Sequence, residues 1–178
     1  DIFDKVTARG DVDERYMLRL GGGEKNLTST SGTSHDFTKQ GRVAHIMSRR
    51  GTLLEEVQLV SESLGVSGKS ERGADGSPSY TCETAGFFRT CHVDDRLGRF
   101  RDATAGAEDG EDVADRLPFR EYLGVKDGEA VTLADARDKL RKIEGVFDEL
   151  AEYRPIELLR SMRQRTDYLL TKQAKIVC

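Results

Sequence analysis

Tyr16-Met17-Leu18-Arg19-Leu20, followed by Gly21-Gly22-Gly23, sets the expected class of this chain. Its apolar residues run nearly together instead of alternating. That is the pattern of a strand covered on both faces, as in the parallel sheet of an α/β domain. The glycines close it. Near the other end, Ala174-Lys175-Ile176-Val177 reads as entry into a second buried strand. The residues between them carry mostly helical periodicity. The expected fold is therefore mainly α with flanking β-strands, an α/β domain that carries a helical insertion.

Before the first strand, Ile2, Phe3 and Val6 share one face of a short helix that Gly10 can end. After it, residues 21 to 36 are rich in Gly, Ser and Thr without apolar periodicity, and read as a flexible loop. Val43, Ile46, Met47, Leu53, Leu54, Val57, Val60 and Leu64 then recur at threes and fours within a helix from Phe37 to Leu64. Gly51 weakens it by about 1 kcal/mol relative to Ala, and Gly65 caps it. Residues 65 to 79 read as an exposed connection. A second helix can be drawn through Ala85, Phe88, His92, Leu97 and Phe100. Residues 101 to 116, with six carboxylates and two glycines, read as a disordered or solvated loop. Pro118 to Leu123 supply a short apolar anchor. The clearest helix runs from Thr132 to about Arg154, capped by Thr132 with Asp135, and Pro155 suits the first turn of a further helix.

The chain has 178 residues, 28 basic and 32 acidic, and a net charge of −4. That is one domain's worth of chain with a modest core. No apolar stretch approaches the roughly 20 residues of a membrane-spanning helix. The first residues lack a basic segment followed by an apolar one, so no secretory signal is visible. Three cysteines, an odd and small number, make no complete disulfide framework and favour a reducing compartment. The mild acidity argues against coating nucleic acid by bulk charge, although a local basic patch escapes a whole-chain sum. Asp1 is not an initiator Met and the chain stops inside an apolar run, so the sequence reads as a cut-out piece.

Chemistry-bearing patterns are sparse. Gly21-Gly22-Gly23-Glu24-Lys25-Asn26 lacks the Gly before Lys and the Ser or Thr after it that a phosphate loop requires. Cys82, Cys91 and His92 offer three soft ligands without a C-x-x-C pair, so ordinary buried thiols beside a partly exposed His are the better reading. His35, His45 and His92 stand at no spacing that makes a nucleophile and base. The acidic stretch misses the order of an EF-hand, and Asn26-Leu27-Thr28 is a sequon by chance alone. No catalytic, cofactor or metal residue is assigned. Two basic clusters remain, Lys39, Arg42, Arg49 and Arg50 around the first long helix and Arg160, Arg163 and Arg165 near the last. Either can meet phosphates, and a solvated helix face with Glu55, Glu56 and Glu157 nearby is the competing reading.

Several blocks, taken in order, resemble one family. Asp11-Val12-Asp13-Glu14-Arg15-Tyr16-Met17-Leu18-Arg19-Leu20-Gly21 with Gly23-Glu24 is similar to the strand segment beyond the first RNA-contact motif of the intron-binding, superfamily-one RNA helicases of the spliceosome. Gly41-Arg42-Val43, Arg49-Arg50, Leu53-Leu54-Glu55-Glu56-Val57 and Ser79-Tyr80-Thr81-Cys82-Glu83-Thr84-Ala85-Gly86 resemble successive parts of it. So do Pro118-Phe119, Glu121-Tyr122, Glu157-Leu158-Leu159-Arg160-Ser161, Tyr168-Leu169-Leu170 and Ala174-Lys175-Ile176. The likeness spans nearly the whole chain and is weakest from 101 to 116.

The resemblance implies an incomplete fragment of a RecA-like, P-loop NTPase helicase domain. On this reading residues 1–24 belong to the first RecA-like domain, 25–164 form a thumb-like helical insertion with disordered loops near 25–36, 65–79 and 101–116, and 165–178 return into the RecA-like domain. It implies a nuclear, ATP-dependent RNA helicase acting in pre-mRNA splicing, whose partners are intron RNA and spliceosomal proteins. ATP and magnesium belong to the parent, because the family's phosphate loop precedes Asp1 and its acidic magnesium motif follows Cys178. The fragment alone is expected to bind neither and to be inactive. Arg42, Arg49 and Arg50 are the residues expected to contact nucleic acid, and an interaction scaffold without RNA contact is the alternative.

Overall fold

Met17–Leu18 (β1) and Ile176–Val177 (β2) pair in parallel, Met17 opposite Ile176 and Leu18 opposite Val177, so the two ends of the chain share one small sheet. The computed structural model describes residues 2–10, 12–21, 36–66, 72–73 and 75–177. The chain is mainly helical and divides into two units, residues 1–49 with 155–178, and residues 50–154.

The first unit contains α1, Ile2–Arg9, which ends at Gly10 in the left-handed conformation (φ 69°) that glycine adopts without a Cβ penalty. Met17 and Phe37 form its apolar centre, with Val6, Val12 and Ile176 packed against them. The sheet is extended by two further bonds: the Lys175 amide donates to the Tyr16 carbonyl and the Arg19 amide to the Phe37 carbonyl, both at 2.8 Å. β1 is buried on both faces, as its unbroken apolar run predicts. β2 departs from expectation, with Ile176 half-buried and Val177 43% exposed. Among the described residues β2 has a strand neighbour on one edge only.

The helix α2, Lys39–Ser63, follows the predicted periodicity: Val43, Ile46, Leu53, Leu54, Val57 and Val60 are all buried. Its first turn is closed by Thr38, whose hydroxyl accepts the Gly41 amide at 3.1 Å, and Gly65 ends it at φ 65°. Gln58 and Ser61 are also fully buried, and each is satisfied. Gln58 donates to Glu62 and accepts from the Ser79 amide and hydroxyl; the Tyr80 hydroxyl lies 2.7 Å from that of Ser61. Those bonds hold residues 79–80 against α2.

The second unit is built on an antiparallel pair. Helix α3, Cys82–Phe88, passes through a π turn, Arg89–Val93, into α4, Asp94–Ala103. It runs beside α5, Leu133–Leu158. Phe88 packs on Phe147 with ring centroids 6.3 Å apart, and on Tyr80 at 5.6 Å. Ion pairs mark the antiparallel register from Glu83–Arg154 through Arg89–Asp148 to Arg101–Glu144. At the start of α3, Thr81 and Thr84 satisfy each other's backbone amides in a capping box.

Three expectations are corrected by these elements. The π turn shifts burial by one residue, so Val93 is buried where a plain 3.6-residue period selects His92. Pro155 lies within α5, in its last turn, and does not open a new helix; the next helix, α6, Met162–Tyr168, starts from Ser161 capped with Gln164. Proline removes one helical donor there, and the helix ends three residues later. Residues 101–116, expected as an open acidic loop, carry defined structure. α4 runs to Ala103, a 3-10 turn covers Ala114–Arg116, and Asp112 bridges Thr132. The Asp112 carboxylate accepts the Val131 amide at 2.9 Å and the Ala114 amide at 3.1 Å, which turns an acidic residue into a loop clasp. The expected loop at 25–36 falls outside the described residues except at its end, and that at 65–79 does so in part.

Candidate nucleic-acid interface

The three arginines expected to meet RNA do not share an environment. Arg42 lies on the buried stripe of α2, one helical turn before Ile46, and is 2% exposed. Its guanidinium carbon stands 5.6 Å from the centroid of the Phe37 ring, over the negative face of that aromatic. It is a core cation of the first unit and is not presented at the surface; its inclusion among the nucleic-acid contacts is corrected on that ground. Residue type alone pointed outward here, whereas position on the helix pointed inward. Arg49 is exposed and Arg50 half-buried.

The second basic cluster is split in the same way. Arg160 and Arg163 are exposed. Arg165 donates through Nε to the Leu159 carbonyl at 2.9 Å, so its side chain secures the turn ahead of α6. Arg163 lies 3.9 Å from Asp167, an exposed pair of the kind worth about 0–1 kcal/mol. With Lys39 and Thr38 at the start of α2, Arg163 and Asp167 border a polar recess of about 620 Å³ in the first unit. Two cations and one carboxylate around a helix start give a surface that can receive a phosphate, without any group placed for bond making or breaking.

Two aromatic features escaped the sequence reading. Tyr16 is flanked by Lys175, whose ammonium sits 3.8 Å from the ring centroid, and by Arg15 at 5.0 Å. Phe87 is 71% exposed on α3. Its exposure has a sequence signal, because it stands one residue off the face set by Ala85 and Phe88.

Elsewhere the electrostatics are structural. Burial and a hydrogen bond to Glu56 push the Tyr122 hydroxyl well above the usual tyrosine range. Arg72 is held charged by hydrogen bonds to Glu62 and Glu55 on α2, and the two backbone bonds from Val131 and Ala114 hold Asp112 below the usual carboxylate range. Cys82 is buried as expected and Cys91 is exposed, contrary to expectation. Among the described residues no three His, Cys, Asp or Glu side chains gather where a metal ion would need them. No described helix is long and apolar enough to cross a membrane.

No protein-family model matches the chain. It is 38% identical over 193 aligned residues to RNA helicase aquarius of Mus musculus, an alignment that takes in 99% of the chain and 12% of that protein. It is 28% identical over 156 residues to the pre-mRNA-splicing factor cwf11 of Schizosaccharomyces pombe, covering 84% of the chain and 11% of that factor. The chain thus spans about an eighth or less of the length of each relative, and the helicase resemblance read from its residues is borne out along almost all of it.

Proposed function

We propose that this chain is part of an ATP-dependent RNA helicase of the spliceosome that binds intron RNA in the nucleus during pre-mRNA splicing. In this reading its ends belong to a RecA-like domain and residues between them form an insertion that contacts RNA. The likeness to the aquarius helicase over nearly every residue carries the reading. The parallel pairing of β1 with β2 supports it, since a parallel pair drawn from distant segments is the arrangement of an α/β sheet that accommodates an inserted helical unit. The glycine-rich stretch lacks a phosphate loop's spacing, and among the described residues no carboxylate cluster suits a hard cation, so these residues do not fit ATP or magnesium. Nucleotide chemistry is assigned to other parts of the parent, and this chain's share is contact and support.

Arg49 and Arg50 are the residues proposed to touch RNA, through phosphate oxygens, because backbone contacts need charge and reach without base geometry. Reversing both to Glu in the full-length parent should lower crosslinking to intron RNA on the order of tenfold, with a shallower salt dependence. Wild-type crosslinking and wild-type spliceosome association together would reject the assignment. A scaffold role without RNA contact is favoured by one observation, the exposed Phe87, which suits a protein interface better than a phosphate track. Retained association with lost crosslinking separates the two.

A further inference from the structure

Of the chain's three prolines, one follows a hydroxyl residue: Pro78 follows Ser77, whereas Leu117 and Arg154 precede the other two. Asp75, Gly76, Ser77 and Ser79 are exposed. The Ser77 hydroxyl and amide both donate to the Asp75 carboxylate, the amide at 3.0 Å, and hold it below the usual carboxylate range. We propose that Ser77 is a phosphorylation site for a proline-directed protein kinase, and that its phosphate frees Ser79 and Tyr80 from α2.

Pro78 acts in two ways. Its ring biases Ser77 toward extended backbone, the form in which a kinase groove takes a substrate strand, and its missing amide leaves no donor to satisfy after the acceptor. Few bonds hold the acceptor back. The Gly73 amide donates to the Ser77 carbonyl at 2.9 Å and the Gly76 amide to the Gly73 carbonyl at 2.8 Å, with Gly76 at φ 79°. An exposed turn held by so few bonds opens at a small fraction of the global unfolding free energy. The transfer takes ATP and the kinase from outside this chain. Ser77 Oγ bonds to the γ-phosphorus as the bond from that phosphorus to the β,γ-bridging oxygen breaks; ADP leaves, and the hydroxyl proton passes to the kinase's base.

Local charge and space decide what the phosphate does. Arg72 donates to the Gly76 carbonyl at 3.3 Å, but it is committed to Glu55 at 2.7 Å and Glu62 at 3.0 Å. With Asp75, three carboxylates surround one guanidinium. A phosphoserine adds a charge of about −1.5 to −2, removes the hydroxyl proton that bonded Asp75, and sets like charges against each other. A Cβ on Gly73 would stand 2.6 Å from Ser77 Oγ, so a bulky group on that oxygen has little room while the turn is closed. The modified turn therefore opens. Two residues on, the Ser79 amide and hydroxyl meet Gln58 at 3.3 and 3.1 Å, and the Tyr80 hydroxyl meets Ser61. Opening at Ser77 pulls on these bonds. The inference rests on the second unit alone and does not depend on the RNA reading.

In the test, the full-length parent is incubated with ATP and a recombinant mitogen-activated protein kinase, then digested and mapped by mass spectrometry. Phosphate should appear on Ser77, persist in Ser77→Thr and vanish in Ser77→Ala. Pro78→Ala, which keeps the hydroxyl, should slow its addition about tenfold or more. Hydrogen exchange should then show the Ser79 amide exchanging about tenfold or more faster in the phosphorylated protein, with no such change when Ser77→Ala receives the same treatment. Absence of phosphate on Ser77, or equal labelling with and without Pro78, overturns the site. Unchanged or slower exchange at Ser79 in the phosphorylated protein overturns the release, the slower result showing that Arg72 has captured the phosphate.

Discussion

Deleting Thr90 should be tolerated, although it removes a residue from the middle of a helix. The buried positions Ala85, Phe88, Val93, Leu97 and Phe100 are spaced by three, five, four and three residues, and the five-residue step coincides with the π turn Arg89–Val93. At about 100° per residue, these positions on an unbroken α-helix would spread over about 180°; with one residue removed from the step they fall within about 80°. The π turn is thus geometrically an inserted residue, and its removal should leave the same side chains buried in a regular helix. Arg89 and Asp94, now 3.2 Å apart, would move from five to four residues' separation, a good helical pair. The losses are the Thr90 hydroxyl's bond to the Gly86 carbonyl at 3.2 Å and the contact of Phe88 with His92 at 5.3 Å, together within about 1 kcal/mol. Deleting Arg99, just before Phe100, has no π turn to absorb it. Phe100 then rotates by about 100°, and exposing it costs about 1.5–3 kcal/mol before any cavity is counted. Urea unfolding followed by far-UV circular dichroism compares the two deletions at constant m. A Thr90 deletion as damaging as the Arg99 deletion would refute the reasoning.

Two titration predictions follow from named contacts. The native Asp112 carboxylate is held below its unfolded value near 3.9 by the Val131 and Ala114 amides. Its contribution is therefore present above that value and lost as pH falls through the native one; Asp112→Ala should abolish this dependence and speed hydrogen exchange at the Val131 and Ala114 amides at neutral pH. Unchanged exchange would show that the loop needs no clasp. Tyr122 has the opposite sense, since its native value is raised above the unfolded value near 10, so stability is full below about pH 10 and falls as the pH climbs toward the native value. Ultraviolet titration should find one tyrosine ionising last, and Tyr122→Phe should remove it at a cost of about 1–3 kcal/mol for the lost bond to Glu56.

Much of the helical frame could be read before any coordinates. Val43, Ile46, Leu53, Leu54, Val57 and Val60 repeat at the spacing of one helical face, and that face is buried. Gly10 and Gly65 mark two ends because both adopt positive φ. What stayed hidden depends on partners distant in sequence. A five-residue step in burial has no 3.6-residue signature, so the π turn moved Val93 inward unseen. The ordering of 101–116 draws on distant partners, the Asp112 carboxylate with the Val131 amide and the Glu111 and Asp109 carbonyls with the Leu133 and Ala134 amides, which a count of charges cannot reveal. Charge alone points Arg42 outward, yet its position within the α2 stripe sets it over Phe37. Ser161 with Gln164 three residues on is a helix-start signal present in the residues, and both of its bonds form, whereas Pro155 lies inside a helix. For the candidate interface, Arg49 and Arg50 can be named by residue type, while the Lys175 ammonium over the Tyr16 ring depends on the pairing of β1 with β2.

The β1–β2 pairing also constrains the order of folding. Met17 meets Ile176 across a separation of 176 − 17 = 159 residues, whereas Asp112 meets Thr132 across 132 − 112 = 20. Closing the longer loop in an unfolded chain costs about 2 kcal/mol more entropy than closing the shorter. Residues 50–154 can gather through contacts contiguous in sequence, while the unit holding the sheet must wait for both of its segments. In pulse-labelled hydrogen exchange during refolding, amides in the middle of α5 should be protected before the Lys175 amide that donates to Tyr16; the reverse order would contradict this. On the ribosome β1 then stays unpaired with β2 until Ile176 and Val177 have emerged, and through that interval its open edge is a site where another chain can pair or a chaperone can hold it.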